Sequence, residues 1–185
     1  MTNVKESSSE FIHIQVTVDT DALLKAHPVL SPDQKNPTWV NEPVIYAVVS
    51  TNAAISGQGT HQINFNAVVG DKVRVYGTSE YGNLDNPVLI YNIQKLPGHQ
   101  SDPDILTNFH SQKTQKVAVQ PSNSIDQVLP PVFEKMNFWY FEADVAKTGT
   151  ENFTFHFALY KRDRKIANPV LVGYFQWDPT IEVKF

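Results

Sequence analysis

Six histidines, at positions 13, 27, 61, 99, 110 and 156, are the side chains best suited to acid–base work or metal ligation in this 185-residue chain. No two of them stand at a spacing that would place both imidazoles on one face of one element, so a zinc site is not expected. His156 falls on the polar side of an alternating run and reads as a sheet-surface residue rather than a base. Cysteine is absent, which excludes disulfides, thiolate metal sites and a cysteine nucleophile. A serine nucleophile needs a positioned base and an oxyanion site, and no Gly-x-Ser-x-Gly elbow between strand and helix is present. Ser56-Gly57-Gln58-Gly59-Thr60 invites an anion-binding reading, because glycine lets backbone N–H groups approach a phosphate. It lacks a third glycine at dinucleotide spacing and a Gly-Lys-Ser/Thr ending, and an alternating strand follows it rather than a helix. Turn glycines explain it more simply.

The acidic residues Asp19, Asp21, Asp85, Asp102 and Asp104 could offer oxygen ligands to Ca²⁺, yet none reaches the density of a calcium loop, and turn and cap duties account for them. Trp39, Tyr81, Trp139 and Trp177 could stack on sugar rings, with Asn83, Asp85 and Asn86 bonding the hydroxyls. Packing within sheets is the plainer role for the tryptophans. Trp39, Tyr81, Asn83, Asp85 and Asn86 are therefore retained as a candidate ligand or self-association surface. Exposed aromatics on sheets also suit association between copies, since sandwiches commonly form isologous dimers through sheet faces or edges.

These residues must be held by strands. Ile12, Ile14, Val16 and Val18 alternate with polar neighbours and predict a first strand over residues 11–20. Residues 19–27 can hold a short helix, N-capped by Thr20 or Asp21 and limited by Pro28. A loop over 29–42 has Trp39 as its large apolar anchor. Residues 43–50 form a near-continuous apolar run, as in a strand covered on both faces. Residues 62–69 and 72–78 alternate about Gly70-Asp71, which predicts a hairpin. A polar loop over 79–86 precedes a strand over 87–96. From 97 to 131 periodicity fades, and only Val117-Ala118-Val119 suggests a short strand; so long a connection is usually functional or hides short elements. Two aromatic runs, 138–145 and 152–160, are separated by Thr148-Gly149-Thr150-Glu151 and predict a second hairpin. Phe153, Phe155, Phe157 and Leu159 share its buried face. Strands over 168–177 and 180–185 follow, with Lys161-Arg162-Asp163-Arg164-Lys165 as a solvated turn between strands.

The expected architecture is all-β: a two-sheet antiparallel β-sandwich of jelly-roll or Ig-like topology with one or two short helices, a closed barrel being the competing form. The domain is expected over 11–185, after a disordered tail at 1–10. A chain of this length buries roughly 70% of its unfolded surface and needs no staple. The formal net charge of −4, with one small Lys/Arg cluster, argues against nucleic acid as a partner. The polar N-terminus without an apolar segment, and the short, interrupted apolar runs, argue against secretion and against a membrane-spanning helix. No cofactor is expected.

Ala53-Ala54-Ile55-Ser56-Gly57-Gln58-Gly59-Thr60, Val69-Gly70-Asp71, Val145-Ala146-Lys147-Thr148-Gly149-Thr150-Glu151-Asn152-Phe153, Phe157-Ala158-Leu159-Tyr160 and Gly173-Tyr174-Phe175-Gln176-Trp177-Asp178-Pro179-Thr180-Ile181 carry a resemblance to a known family. On these segments the chain resembles the bacterial inclusion body proteins that include PixA and AidA, over nearly its whole length. The resemblance implies a non-enzymatic cytoplasmic protein, in some members packed into crystalline inclusions and in others controlled by quorum sensing and linked to host association. Together with the aromatic-rich strands and the missing catalytic constellation it points to the protein itself, as a homodimer or higher oligomer, as the partner; the alternative, from Trp39, Tyr81 and the polar loops, is a lectin-like carbohydrate- or small-ligand-binding module. It brings no catalytic or binding residue with it. Two methionines and no cysteine give a sulfur-storage role no support.

Overall fold

The computed structural model describes residues 10–50, 52–124, 126–163 and 165–185. The expected tail at 1–10 thus lies outside the described residues except for Glu10, as does Arg164 of the basic cluster. Twelve strands and one helix follow in the order β1 (Phe11–Val18), α1 (Thr20–Ala26), β2 (Thr38–Trp39), β3 (Ile45–Val49), β4 (Ala54–Ser56), β5 (Gln62–Asn66), β6 (Lys72–Ser79), β7 (Val88–Lys95), β8 (His110–Gln120), β9 (Val132–Asp144), β10 (Gly149–Lys161), β11 (Val170–Trp177) and β12 (Thr180–Lys184). They build a five-stranded sheet ordered β3-β1-β6-β9-β8 and a seven-stranded sheet ordered β2-β11-β10-β12-β5-β4, with β7 on the other side of β10.

The alternation read in β1 is present: Ile12, Ile14, Val16 and Val18 are buried. They belong to one core with Val73, Val75 and Phe141 of the first sheet and the inner residues of the second. There, cross-strand neighbours on β10 and β11 meet ring to ring: Phe157 stacks on Phe175 with centroids 5.3 Å apart, and Phe155 meets Trp177 edge-on at 5.6 Å. Burial of such rings is the largest favourable contribution a sandwich of this kind has. At Gly77 the sheets approach so closely that a Cβ would sit 2.7 Å from Ile90 Cγ1.

The sandwich is mixed rather than purely antiparallel. β1 runs parallel to β6, β5 to β12 and β2 to β11. Neither expected hairpin forms, and for one reason. β5 and β6 lie in different sheets, as do β9 and β10, so the turn chemistry at 66–72 and 145–149 serves crossings between sheets. β3 is covered on one face only: Ile45, Ala47 and Val49 are buried while Tyr46 and Val48 face solvent. The helix cap is Asp19, whose Oδ1 accepts from the Ala22 amide at 2.9 Å, rather than Thr20 or Asp21. In the 29–42 loop the fully buried anchor is Val40, with Trp39 half-buried.

Asp71 ties both crossings together. Its buried carboxylate accepts from the Glu10 amide at 2.9 Å and from the Val68 amide at 2.8 Å. Its own carbonyl accepts from the Val145 amide, and the Gly70 amide donates to the Val145 carbonyl. Removing the carboxylate would leave two amides without acceptors, at about 1.5 kcal/mol or more each for bonds to a charged group. Asp71→Ala is therefore expected to lower stability by about 3 kcal/mol, and Asp71→Asn, which keeps one acceptor oxygen, by about half of that; urea unfolding of the three proteins measures both.

Candidate functional site

The loop over 79–86 holds four of the five candidate surface residues, and most of their polar atoms bond internally. Asn83 adopts a left-handed backbone, with φ 62°. Its Oδ1 accepts from the Ser79 and Val88 amides, each at 2.9 Å, and its own amide donates to Ser79 Oγ. Asn86 is buried and donates to Thr20 Oγ1 at 3.1 Å. Glu80 reaches the start of α1, accepting from the Thr20 amide at 2.9 Å and the Thr20 hydroxyl at 2.8 Å. What the loop itself shows to solvent is apolar and acidic, with the exposed Arg162 beside it donating to the Leu84 carbonyl. Tyr81 and Leu84 are exposed, and Tyr81 donates to Asp21 Oδ2 at 2.7 Å. That bond, with the charges of Asp21, Glu80 and Asp85, pushes the Tyr81 hydroxyl above its ordinary pKa. Trp39 stands apart from this loop, on β2 at the edge of the second sheet beside Gln176.

Two clefts border residues 151–153 of β10. One, of about 600 Å³, is lined by Ile93, Lys95, Leu106, Phe109, Glu151 and Phe153. Burial pushes the Glu151 carboxyl up against the opposing pull of the Ile105 amide and Lys95; Lys95 Nζ lies 3.3 Å from Glu151 and 2.6 Å from Asp104. The other, of about 580 Å³, includes Glu42, His61, His99, Asn152 and Asp178. Asn152 donates to Asp102 Oδ2 at 2.9 Å, and His99 Nδ1 lies 3.3 Å from the same oxygen. Asn152, His99 and Asp102 are engaged with one another and, with the Ile105 amide donating to Glu151, pin the segment over 99–105 to β10. Among the described residues no group of three or more His, Cys, Asp or Glu side chains could hold a metal ion.

The largest uncovered feature is a ribbon that the sequence shows only at Val117-Ala118-Val119. β8 pairs with β9 along its whole length, from His110↔Glu142 to Gln120↔Val132. β9 pairs with β6 only from Phe141 to Asp144. Residues 132–140 with their β8 partners therefore project from the sandwich as two strands alone. Phe141 faces the core, and residues of the same parity continue its face: Trp139, Phe133 and, opposite on β8, Val117 and Val119. Phe133 and Val119 are each 67% exposed, Val117 62% and Trp139 38%. Met136 and Phe138 are exposed on the other face. Alternation could not have revealed this hairpin, because solvent bathes both faces of its outer part and selects no period of two.

A family model described as PixA, inclusion body protein, matches residues 10–183. The chain belongs to the PixA inclusion body protein family. A crystal structure of the PixA inclusion body protein from Burkholderia cenocepacia J2315 superposes with a TM-score of 0.78 at 25% identity, covering 97% of this chain and 99% of that one. A search of curated proteins finds no match. Of the segments that carry the resemblance, 145–153 spans the crossing into β10 and 173–181 runs from β11 into β12. No helix among the described residues is long and apolar enough to cross a membrane.

The loop and the clefts make separate predictions. Asn83→Ala loses the amide acceptor and places a Cβ-bearing residue without side-chain compensation at positive φ, so it is expected to cost about 2–3 kcal/mol. Asn83→Gly, which tolerates that φ, should cost less, and chemical denaturation will rank them. Asp102 and Asp104 are held below the usual carboxylate range, Asp102 chiefly by the Asn152 hydrogen bond and Asp104 chiefly by Lys95. A depressed folded-state pKa contributes stability above the ordinary value near 3.8 that is lost as pH falls through the folded value. The double variant Asp102→Asn/Asp104→Asn should thus melt below the wild type at neutral pH, and the gap should narrow as the pH falls below the ordinary value near 3.8.

Proposed function

We propose that this protein is a non-enzymatic, self-associating member of its family that acts through assemblies of its own copies in the cytoplasm, up to inclusion bodies. Control by quorum sensing and a role in host association are carried to it by the family resemblance. The observation that supports self-association is the β8–β9 ribbon. A two-stranded ribbon alone in water is marginally stable at best, and this one carries large apolar side chains on both faces. With Val128 and Leu129 at its tip, the ribbon leaves eight large apolar residues exposed, four of them (Val117, Val119, Phe133 and Trp139) together on one face, a contiguous apolar surface of the kind that marks an interaction site.

The edges of the first sheet differ in the same direction. At β3 the Gln58 side chain accepts from the Val49 amide at 2.7 Å and donates to the Val49 carbonyl, and the Gly59 amide bonds Ala47, so that edge is closed by its own chain. β8, eleven residues long, has β9 as its one partner strand among the described residues. A carbohydrate module has less support, because Asn83 and Asn86 spend their hydrogen bonds inside the protein. Sedimentation equilibrium across a wide concentration range tests the reading. A mass several times that of the monomer is expected at high concentration. A strict monomer throughout, in a strain whose cells show no particles of the protein, would overturn it.

A further inference from the structure

We infer that the association is head-to-tail: the inner face of one copy's ribbon docks on the Tyr81–Leu84 surface of a second copy, between exposed Asp21 and Asp85, rather than on the second copy's ribbon. The inference rests on the self-association reading above and names the two surfaces that meet. Direct cross-strand partners share a face, so the register places Lys113 beside Trp139 and Lys135 beside Val117 on the same face as Phe133 and Val119. Glu134 lies on the opposite face, beside Ala118. Stacking two inner faces about a two-fold axis would bring four lysines into one contact with no carboxylate from either face, and like charges set opposite one another repel.

The charge balance of the chain points to the alternative. The ribbon strands, residues 110–120 and 132–140, carry Lys113, Lys116 and Lys135 against Glu134, a net of +2; the whole chain carries −4, which leaves −6 on the remainder. A surface that pairs with the inner face must offer apolar area and negative charge together. The 79–86 loop does so: Tyr81 and Leu84 are exposed, Leu84 at 71%, and the charges of Asp21, Glu80 and Asp85 act on Tyr81, three carboxylates against the guanidinium of Arg162, which donates to the Leu84 carbonyl. The internal hydrogen bonds of Asn83 and Asn86 hold that surface in one shape, which favours binding by leaving little to order. Because donor and acceptor surfaces are different patches of the same molecule, one contact leaves the pair one free donor and one free acceptor, one on each copy. Such a contact repeats until it closes into a ring or continues as a filament.

Complementation between two variants tests this. Phe133→Glu disables the ribbon and leaves the loop intact; Leu84→Lys with Asp85→Lys disables the loop and leaves the ribbon intact. All three side chains are exposed, and circular dichroism with a thermal melt establishes that each variant is folded. Each alone is expected to associate at least tenfold more weakly than the wild type. An equimolar mixture is expected to form a one-to-one dimer and nothing larger, since one good donor and one good acceptor remain. A mixture that stays monomeric, or a loop variant that assembles like the wild type, would overturn the head-to-tail contact while leaving self-association standing. A Phe133→Glu protein that assembles undiminished would likewise remove the ribbon from the interface. A wild type that never associates would overturn the functional reading, and the inference with it.

Discussion

Everything in this fold hangs on how the chain passes between its two sheets, and Asp71 fixes that passage. Its carboxylate holds the backbone just before β1 and the backbone just before the first crossing, while its main chain and that of Gly70 bond Val145 at the second crossing. The carboxylate and main chain of this one turn thereby join three segments, around residues 10, 70 and 145, that are far apart in sequence. Backbone amides leaving a sheet must find partners or be hydrated, and here the Asp71 carboxylate serves two of them and the main chain of residues 70, 71 and 145 the others. With that point fixed, β6 is held between β1 and the end of β9, and the inner faces of both sheets come into register over one core.

The ribbon is a consequence of the same arrangement. β9 is anchored at its C-terminal end, where Phe141 to Asp144 pair with Val75 to Lys72. Towards its N-terminus β9 parts from β6, which keeps its parallel pairing with β1 as far as Ser79. The first nine residues of β9 are left with β8 alone. The face that Phe141 turns to the core therefore runs outward past the last strand able to cover it. Trp139 marks the border: it meets Phe141 edge-on with ring centroids 5.4 Å apart, yet keeps over a third of its surface in solvent.

What was legible in the sequence follows from which faces are wet. β1, β10 and β11 each have a dry face and show it as alternation, and the aromatic face of β10 was correctly assigned to the core. Pairing was not legible. Gly70-Asp71 and the 145–149 segment have the turn residues of hairpins, and local chemistry is the same whether a turn returns to the same sheet or crosses to the other. The loop over 79–86 was legible as a surface of aromatic, amide and acidic groups. Its internal duties were not, because an Asn that bonds a ligand and an Asn that bonds its own backbone at positive φ are the same residue. The outer part of β8 was least legible: Gln112-Lys113-Thr114-Gln115-Lys116 reads as loop, since nothing in the single chain dries either of its faces.

A long open ribbon with apolar side chains is also the usual description of an aggregation hazard, so specificity needs a physical source. Natural sheets guard such edges with lysine, proline and charge. This ribbon has charged lysines and prolines: Lys113, Lys116 and Lys135 along it, and Pro121, Pro130 and Pro131 at the turn. The prolines cannot extend a ladder, and the lysines penalise the stacking of one ribbon on another. Indiscriminate pairing is suppressed, while contact with a surface that answers the charge is not. In the assembly proposed above, the hydrophobic faces would supply the affinity and the lysines would select the partner, a division of labour that would permit ordered growth where bare apolar strands would give only a tangle.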